Sequence, residues 1–371
     1  MRSKQFTSKS KLEKLPIITW GVRGIRGGCV FPLILALMFL IGYFRSILVP
    51  YSYSNIGTNY ELFNLMEESH SDSRSRLNLD FILAGFPKTG TTSLLHLLDV
   101  HKETSVIPKE ICYLNRATDS AIDELAKLLN GLPTKSRSML RGIKCPMSVW
   151  DAKGLSKLAE MNEEVKVIIG LRHPLSLFES FYNYRVTEMH DMKEIIEPPG
   201  PELLTGSNTW KGLSLELVRF EISLMQFGKV ELTARELLML GNNGRRLFPS
   251  TFKVFLYDIE QLDDKNKERS ELFRSDLQHF LGIQNKIGNI PKSNMNHFRF
   301  GTSSAHPETI SICDAKYANL RKEVIRNAKP SQNWIKQKFM NSNDVTVGGK
   351  EHFLDLLKTW EVDPCQGGTS K

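Results

Sequence analysis

The chain has 371 residues, which is enough for one large domain or two ordinary ones, and 41% of them are hydrophobic, as in an ordinary globular protein. Its formal net charge is +8, but the first 26 residues contribute +6 of this and Arg45 contributes one more. The remaining body is nearly neutral, which removes the main support for a protein that coats DNA or RNA.

An uncharged, apolar stretch over 27–44 separates Arg26 from Arg45. A membrane span needs about 20 mostly apolar residues, and the flanking arginine can snorkel to the interface. A buried core helix would show a polar stripe, and a cleaved signal peptide would have a shorter apolar region and a small-residue cleavage site. The sequence therefore predicts one transmembrane signal-anchor over 27–49. Residues 1–26 would lie in the cytosol and the body in a lumen, because positive residues favour the cytosolic side.

Three further segments are expected after the anchor. Residues 50–77 are polar and rich in serine with little periodicity, which is typical of a stem or linker. We expect a folded lumenal domain over 78–345 and a C-terminal tail over 346–371. A stretch rich in Pro and Gly over 193–211 indicates an insertion loop, which would either border an acceptor site or form a plain surface connection.

The alternation of apolar strands and helices predicts the fold of the body. Short apolar runs indicate buried strands at 79–85, 165–171 and 252–257. Helical spacing of apolar residues indicates helices at 91–101, 175–185, 270–283 and 317–328. This order predicts an α/β domain of three layers, with a central parallel sheet flanked by helices. Ligands of such sheets bind at the carboxyl ends of the strands.

Four cysteines follow the predicted anchor. They can form disulfides in a lumen, but their pairing stays open at the level of sequence. Their spacing, and that of the histidines, matches no zinc site, so we expect no metal. The four are Cys112, Cys145, Cys313 and Cys365.

The string "GFPKTGTT" (Gly85–Thr92) directly follows the first predicted strand. Gly85 and Gly90 have the spacing of the Walker A pattern G-x-x-x-x-G-K-[ST], but Thr91 stands where its lysine belongs. A strand, a glycine turn and a helix start still form an anion site, because backbone N–H groups and the helix dipole point at the ligand. Lys88 lies within the turn, so its ammonium would reach a different oxygen from the one a Walker lysine serves.

This loop resembles the 5′-phosphosulfate loop of the sulfotransferases that use 3′-phosphoadenosine 5′-phosphosulfate (PAPS), a P-K-x-G-T-T string. The resemblance implies a P-loop-like fold, PAPS as cofactor, and a contact of Lys88 with the oxygen that bridges phosphate and sulfate. An ammonium at that oxygen stabilises the charge that develops as the S–O bond breaks. The cofactor-binding residues implied here are Pro87, Lys88, Thr89, Gly90, Thr91 and Thr92.

A second signature follows the second predicted strand. PAPS also has a 3′-phosphate, and the family binds it with R-x-P followed two helical turns later by S-x-[YF]. This chain has Arg172 and Pro174 in the first pattern and Ser180 in the second. The resemblance implies that the arginine fork and the serine hydroxyl hold the 3′-phosphate. The family often carries another arginine between them, where this chain has Leu177.

Sulfuryl transfer to a hydroxyl needs a base within hydrogen-bond reach. Glu110 matches the glutamate base in the K-E-x-x-[FY] string of membrane-bound carbohydrate sulfotransferases. A histidine, as in the cytosolic branch of the family, is the alternative, and His96 and His101 are near in sequence. Lys144 and Pro146 match the family's E-K-[ST]-P segment, which makes Lys144 a candidate contact of the transferring sulfate or of an acidic acceptor.

The resemblance covers roughly residues 79–340, with strong motifs at two points only, the loop at 85–92 and the segment from Arg172 to Ser180. Arg299 and Gly301 lie where the family has a basic glycine loop that closes over the cofactor, so both are candidate cofactor contacts.

Together these features predict a metal-independent, PAPS-dependent sulfotransferase of the membrane-bound, Golgi-type carbohydrate branch. It would act on a hydroxyl-bearing glycan and bind no nucleic acid; its acceptor and oligomeric state stay open. One alternative is a P-loop kinase, which needs a Walker lysine and an acidic strand end for magnesium, whereas this chain has Thr91 and Arg172 there. The other is an inactive binding protein with the same fold. The only argument against this alternative is that Lys88, Arg172, Ser180 and Glu110 are retained.

Overall fold

The computed structural model describes six stretches of the chain. The predicted cytosolic tail, the anchor over 27–49, the stem as far as residue 76 and the insertion loop over 193–211 lie outside them. No helix within the described stretches is long and apolar enough to cross a membrane. The described residues are 77–133, 139–189, 214–215, 217–240, 252–289 and 309–366.

A six-stranded parallel sheet forms the centre of the described structure, in the spatial order β2-β3-β1-β4-β5-β6. The predicted α/β fold with a central parallel sheet flanked by helices is confirmed. The strands are β1 (Phe81–Gly85), β2 (Thr104–Glu110), β3 (Leu140–Lys144), β4 (Lys166–Leu171), β5 (Lys253–Asp258) and β6 (Val345–Val347).

Helices connect and cover the strands. Pro174 occupies the first turn of the helix that follows β4, as expected from its fixed backbone angle, and the His173 side chain caps that helix by accepting from the Leu175 N–H. The helices of the described residues are α1 (Thr91–Asp99), α2 (Asp119–Asn130), α3 (Ala152–Met161), α4 (Pro174–Tyr184), α5 (Phe220–Leu224), α6 (Ala234–Leu240), α7 (Lys267–Leu281), α8 (Ala318–Gln337) and α9 (Lys350–Lys358).

The sheet separates two apolar cores. Alternate residues of β1 enter different cores, because successive side chains of a strand point to opposite faces. Phe81 and Leu83 pack in the core that contains the apolar residues of α1 and α7. Ile82 and Ala84 pack in the core shared by α2, α3, α4, α8 and α9. Helices therefore cover both faces of the sheet, as in a three-layer domain.

The C-terminal tail expected over 346–371 is corrected by the structure as far as residue 366. β6 pairs with β5, the Phe353 side chain on α9 is 1% exposed, and Cys365 forms a disulfide with Cys313. A strand of three residues has too little pattern to be recognised in sequence, so the expected boundary between 345 and 346 falls inside the last strand and before the last helix.

Strands β1 and β4 are neighbours, and their chains leave the sheet in opposite directions. The chain goes from β1 towards β2 at one edge and from β4 towards β5 and β6 at the other. Ligands of open α/β sheets bind in the crevice at such a switch point, outside the carboxyl ends of the strands. The two predicted anion motifs directly follow β1 and β4, so the topology places both at this crevice.

Candidate active site

The loop after β1 is held from beneath by two hydrogen bonds. The Thr89 hydroxyl donates to the Phe86 carbonyl oxygen at 2.6 Å, and the buried Tyr257 hydroxyl at the end of β5 donates to the Thr89 carbonyl oxygen at 3.0 Å. The Thr89 side chain is fully buried. Its hydroxyl therefore shapes the loop, while the implied role in cofactor binding remains a prediction.

Two residues of the loop have left-handed backbone conformations. Lys88 has a φ of 64° and Gly90 a φ of 82°. A side chain at Gly90 would also clash, since a Cβ atom there would lie 2.5 Å from the Leu262 side chain. Left-handed backbone is uncommon for a lysine, and such residues cluster at functional sites.

Helix α1 starts directly after this turn. Gly90 caps it without a side chain, and Thr91 and Thr92 are its first two residues. The N–H groups of the first helical turn have no partner inside a helix, and the helix dipole adds positive potential. Thr92 is exposed at this end and Thr91 is buried.

Arg172 joins the second motif to the first. It directly follows β4, is 5% exposed, and donates from Nη1 to the Lys88 carbonyl oxygen at 3.1 Å. Ser180 is half-buried two turns along α4. Leu177, which replaces the family's additional arginine, is fully buried among apolar side chains. The departure from the motif therefore falls on a position inside the core.

Burial and neighbouring cations disfavour the charge of Lys88 at this crevice. Burial lowers the pKa of Lys88 most, the nearby Arg172 and Lys144 lower it further, and Glu188 opposes the shift. Burial also lowers the pKa of Arg172, against the attraction of Glu260 and other carboxylates. An anionic ligand bound between these groups would offset both the desolvation and the repulsion.

Glu110 and Lys144 lie side by side at the ends of β2 and β3. The Glu110 Oε2 atom is 3.1 Å from the Lys144 Nζ atom, and Lys144 also donates to the Thr92 hydroxyl at 2.9 Å. The Lys144 side chain is 10% exposed and that of Glu110 is 47% exposed. One lysine thus links the candidate base to the first turn of α1.

The alternative base His101 lies at the opposite end of α1. A helix of nine residues is about 13 Å long, so the His101 ring is remote from the loop at the start of α1. Its Nε2 atom is hydrogen-bonded to the Asn285 carbonyl oxygen at 3.0 Å, and Nδ1 accepts from the Glu103 N–H. His96 is half-buried on α1. The structure thus separates His101 from the loop that carries Lys88, while the choice of base stays a prediction.

Tyr184 contacts the site but was not identified from sequence. The Lys88 Nζ atom lies 4.5 Å from the centre of the Tyr184 ring, a cation–π distance. The ring is 38% exposed and precedes a π-helical turn over Arg185–Met189. Tyr184 is four residues after Ser180 and so lies on the same face of α4, which is the signal that could have found it.

Asp258 and Glu260 form an acidic counterpart to Arg172. Asp258 ends β5, is 3% exposed, and accepts a hydrogen bond from the Glu260 N–H at 2.9 Å. Burial raises the pKa of Asp258 to about 7, and Arg172 opposes that shift. A carboxylate directly after a predicted strand was visible in the sequence, since the carboxyl ends of the strands share one edge.

Arg299 and Gly301, two of the predicted cofactor contacts, lie outside the described residues. Within the described part of the chain, no group of three or more His, Cys, Asp or Glu side chains is arranged to hold a metal ion. The described part of the crevice does contain a cationic cluster, formed by Lys88, Arg172 and Lys144.

Comparison with known proteins gives matches among solved structures. No protein-family model matches the chain, and no curated protein sequence matches it. A sulfotransferase from Alicyclobacillus acidocaldarius is 16% identical, with 71% of this chain and 95% of that chain covered and a TM-score of 0.39. The sulfotransferase domain of the Synechococcus PCC 7002 olefin synthase is 16% identical, with 71% and 97% covered and a TM-score of 0.38.

The sulfotransferase domain from the curacin biosynthetic pathway is 17% identical, with 69% of this chain and 98% of that chain covered and a TM-score of 0.36. These structural neighbours are all sulfotransferases or sulfotransferase domains. At these identities and TM-scores the likeness assigns no family and no activity to this chain.

Burial of Asp258 predicts a pH dependence of stability. Because its folded-state pKa of about 7 lies above the ordinary value of 3.8, the unfolded chain releases this proton first as the pH rises. The contribution of Asp258 to stability should therefore fall between about pH 4 and pH 7. Asp258→Asn keeps an oxygen for the Glu260 N–H and removes the titration. Between the low and the high end of that window, its free energy of unfolding should rise relative to that of wild type by up to about 4 kcal/mol.

Urea unfolding of the full-length chain at both ends of the window measures the difference. Asp123→Asn, an exposed position on α2, is the matched control and should follow the wild-type profile. Parallel stability profiles for wild type and Asp258→Asn would contradict this assignment.

Proposed function

We propose that the chain is a sulfotransferase that moves the sulfuryl group of PAPS to a hydroxyl group. One observation carries the proposal: Lys88 and Arg172, each in a motif that resembles the family's, meet at the carboxyl ends of the adjacent strands β1 and β4. A cofactor with anionic groups at two positions needs two cationic groups in one crevice, and Lys88 and Arg172 provide them.

The residues present fit PAPS in their donor chemistry. Lys88, the backbone N–H groups at the start of α1 and the Thr92 hydroxyl would hold the 5′-phosphosulfate. Arg172 and Ser180 would hold the 3′-phosphate, because a guanidinium matches phosphate with two parallel donors. Burial and then Arg172 lower the pKa of Lys88, and an anion bound beside Lys88 would offset both effects.

Catalysis then divides among three side chains. The bound cofactor supplies an activated sulfuryl group for in-line transfer. Lys88 stabilises negative charge on the leaving oxygen, and this charge is larger in the transition state than in the ground state. Glu110 accepts the proton of the acceptor hydroxyl, and Lys144 holds the Glu110 carboxylate beside α1 through its contacts at 3.1 Å and 2.9 Å.

We further propose a glycan acceptor and a Golgi lumenal location, with anchoring by residues 27–49. Two disulfides, Cys112–Cys145 and Cys313–Cys365, support an oxidising compartment. The partly exposed Glu110 supports an acceptor that approaches from solvent.

The first test of the function is transfer of label from ³⁵S-PAPS by the full-length chain. The acceptors are desulfated heparin, chondroitin and a tyrosine-containing peptide, each with and without EDTA. We expect transfer to a glycan that EDTA does not reduce. Lys88→Ala should lower kcat by about 100-fold or more, because it removes a charge that stabilises the transition state.

Lys102→Ala is the matched control, since it removes an exposed lysine near the far end of α1 and should keep full activity. Full transfer by Lys88→Ala would contradict the role of the loop. Phosphate transfer from ATP that requires magnesium would instead identify a kinase.

Substitution of Glu110 separates binding from chemistry. Glu110→Gln should lower kcat by about 100-fold to 10,000-fold, since it removes the base, while the affinity for 3′-phosphoadenosine 5′-phosphate (PAP) should stay near that of wild type. Steady-state kinetics and calorimetry measure the two quantities. Glu124→Gln, an exposed position on α2, is the control. An unchanged kcat in Glu110→Gln would return the role of base to a histidine.

A further inference from the structure

A disulfide lies directly beyond the Glu110–Lys144 pair. Cys112 is two residues after Glu110, and Cys145 is the residue after Lys144. The two sulfur atoms are bonded, and the Cα atoms of the two cysteines are 5.0 Å apart. The covalent link therefore joins the two strand ends that carry the candidate base and its lysine partner.

The end of β2 is weakly held by backbone pairing alone. Among the described strands β2 lies at the edge of the sheet, where it pairs with β3. The two strands pair at Thr104–Val106, the register then shifts, and pairing resumes at Glu110 opposite Lys144. The Ile111 N–H continues it with a bond of 2.9 Å to the Lys144 carbonyl oxygen. A strand whose pairing is interrupted in this way has fewer backbone hydrogen bonds to hold its end in place.

The cystine connects this edge to the fixed centre of the sheet. Cys145 is fully buried, and its N–H donates to the Leu83 carbonyl oxygen of the central strand β1 at 3.0 Å. Cys112 is half-buried at the edge. The bond thus ties the segment after Glu110 to a residue that β1 already holds.

The ion pair itself is a poor constraint on Glu110. The Glu110 side chain is 47% exposed, and ion pairs open to water contribute little to holding two side chains in one geometry. Catalysis is sensitive to small displacements of a base, since a shift of about 1 Å can cost about 100-fold in rate.

We propose that the Cys112–Cys145 disulfide is a positioning element for the reaction, which holds the Glu110 carboxylate against Lys144 and beside the start of α1. This inference rests on the proposed function of the site. The cystine touches no reacting atom in this account and acts through the placement of Glu110.

The second disulfide provides a matched control within the same chain. Cys313–Cys365 joins the C-terminal segment to the residues before α8, where Arg321 and Asp363 also form an ion pair at 2.9 Å. It shares no element with β2 or β3. Loss of either disulfide should lower stability, but only loss of the first should displace Glu110.

Two double variants of the full-length chain test the proposal: Cys112→Ala with Cys145→Ala, and Cys313→Ala with Cys365→Ala. The acceptor is the one that wild type sulfates fastest among desulfated heparin, chondroitin and the tyrosine peptide. Each variant is assayed for transfer from ³⁵S-PAPS to that acceptor and for PAP binding by calorimetry. We expect the first variant to lose about tenfold or more in kcat with PAP affinity within about twofold of wild type. The second should keep the kcat of wild type.

A second measurement does not depend on activity or on a variant that folds. Wild type is treated with dithiothreitol, which reduces each cystine to two thiols and is itself oxidised to its cyclic disulfide. Acetic anhydride then labels lysines, and mass spectrometry gives the labelling rate of each. We expect Lys144 labelling to rise on reduction, because Glu110 no longer covers it, while Lys166 at the opposite end of the sheet keeps its rate.

Equal kcat values in the two double variants, or a Lys144 labelling rate unchanged by reduction, would overturn the proposal. Failure of the proposed function has a different signature, since the oxidised wild-type chain would then neither bind PAP nor transfer label. In that case the labelling of Lys144 still decides whether the disulfide positions Glu110.

Discussion

The parallel pairing of β1 with β4 is the constraint on which the candidate site depends. Both strands are buried and apolar, and parallel pairing makes their carboxyl ends finish at one edge. The Phe86 N–H donates to the Gly170 carbonyl oxygen at 3.0 Å, and Arg172 donates to the Lys88 carbonyl oxygen at 3.1 Å. Sequence motifs more than eighty residues apart thereby become one site.

This arrangement has an electrostatic cost that an anion would offset. Lys88 and Arg172 are buried together, and burial followed by the charge of Arg172 lowers the pKa of Lys88. The nearby carboxylates Asp258 and Glu260 compensate Arg172 in part. Lys144, by contrast, is paired with Glu110, and the disulfide beyond them ties that pair to the centre of the sheet. In the proposed mechanism, cofactor binding and proton transfer would therefore depend on different parts of the crevice.

Sequence alone predicted the parts of the fold that have strong local patterns. The mostly apolar runs of β1, β4 and β5 were predicted, as were both anion motifs. The strand β2 was missed because its end, "PKE", is polar, and β6 because three residues have no readable period. The disulfide pairing and the Lys144–Thr92 bond depend on which strands become neighbours, which a single sequence does not state. Tyr184 and Asp258 were readable from helix spacing and strand ends but were overlooked.

The central claim is that Lys88 and Arg172 bind the two anionic groups of one nucleotide. The affinity for PAP relative to that for adenosine 5′-monophosphate tests this claim most directly. The two ligands differ only in the 3′-phosphate that Arg172 would hold. Calorimetry on the full-length chain should give PAP an affinity about tenfold or more higher, as expected for charge-assisted hydrogen bonds to one phosphate. Equal affinities for the two nucleotides would contradict the account.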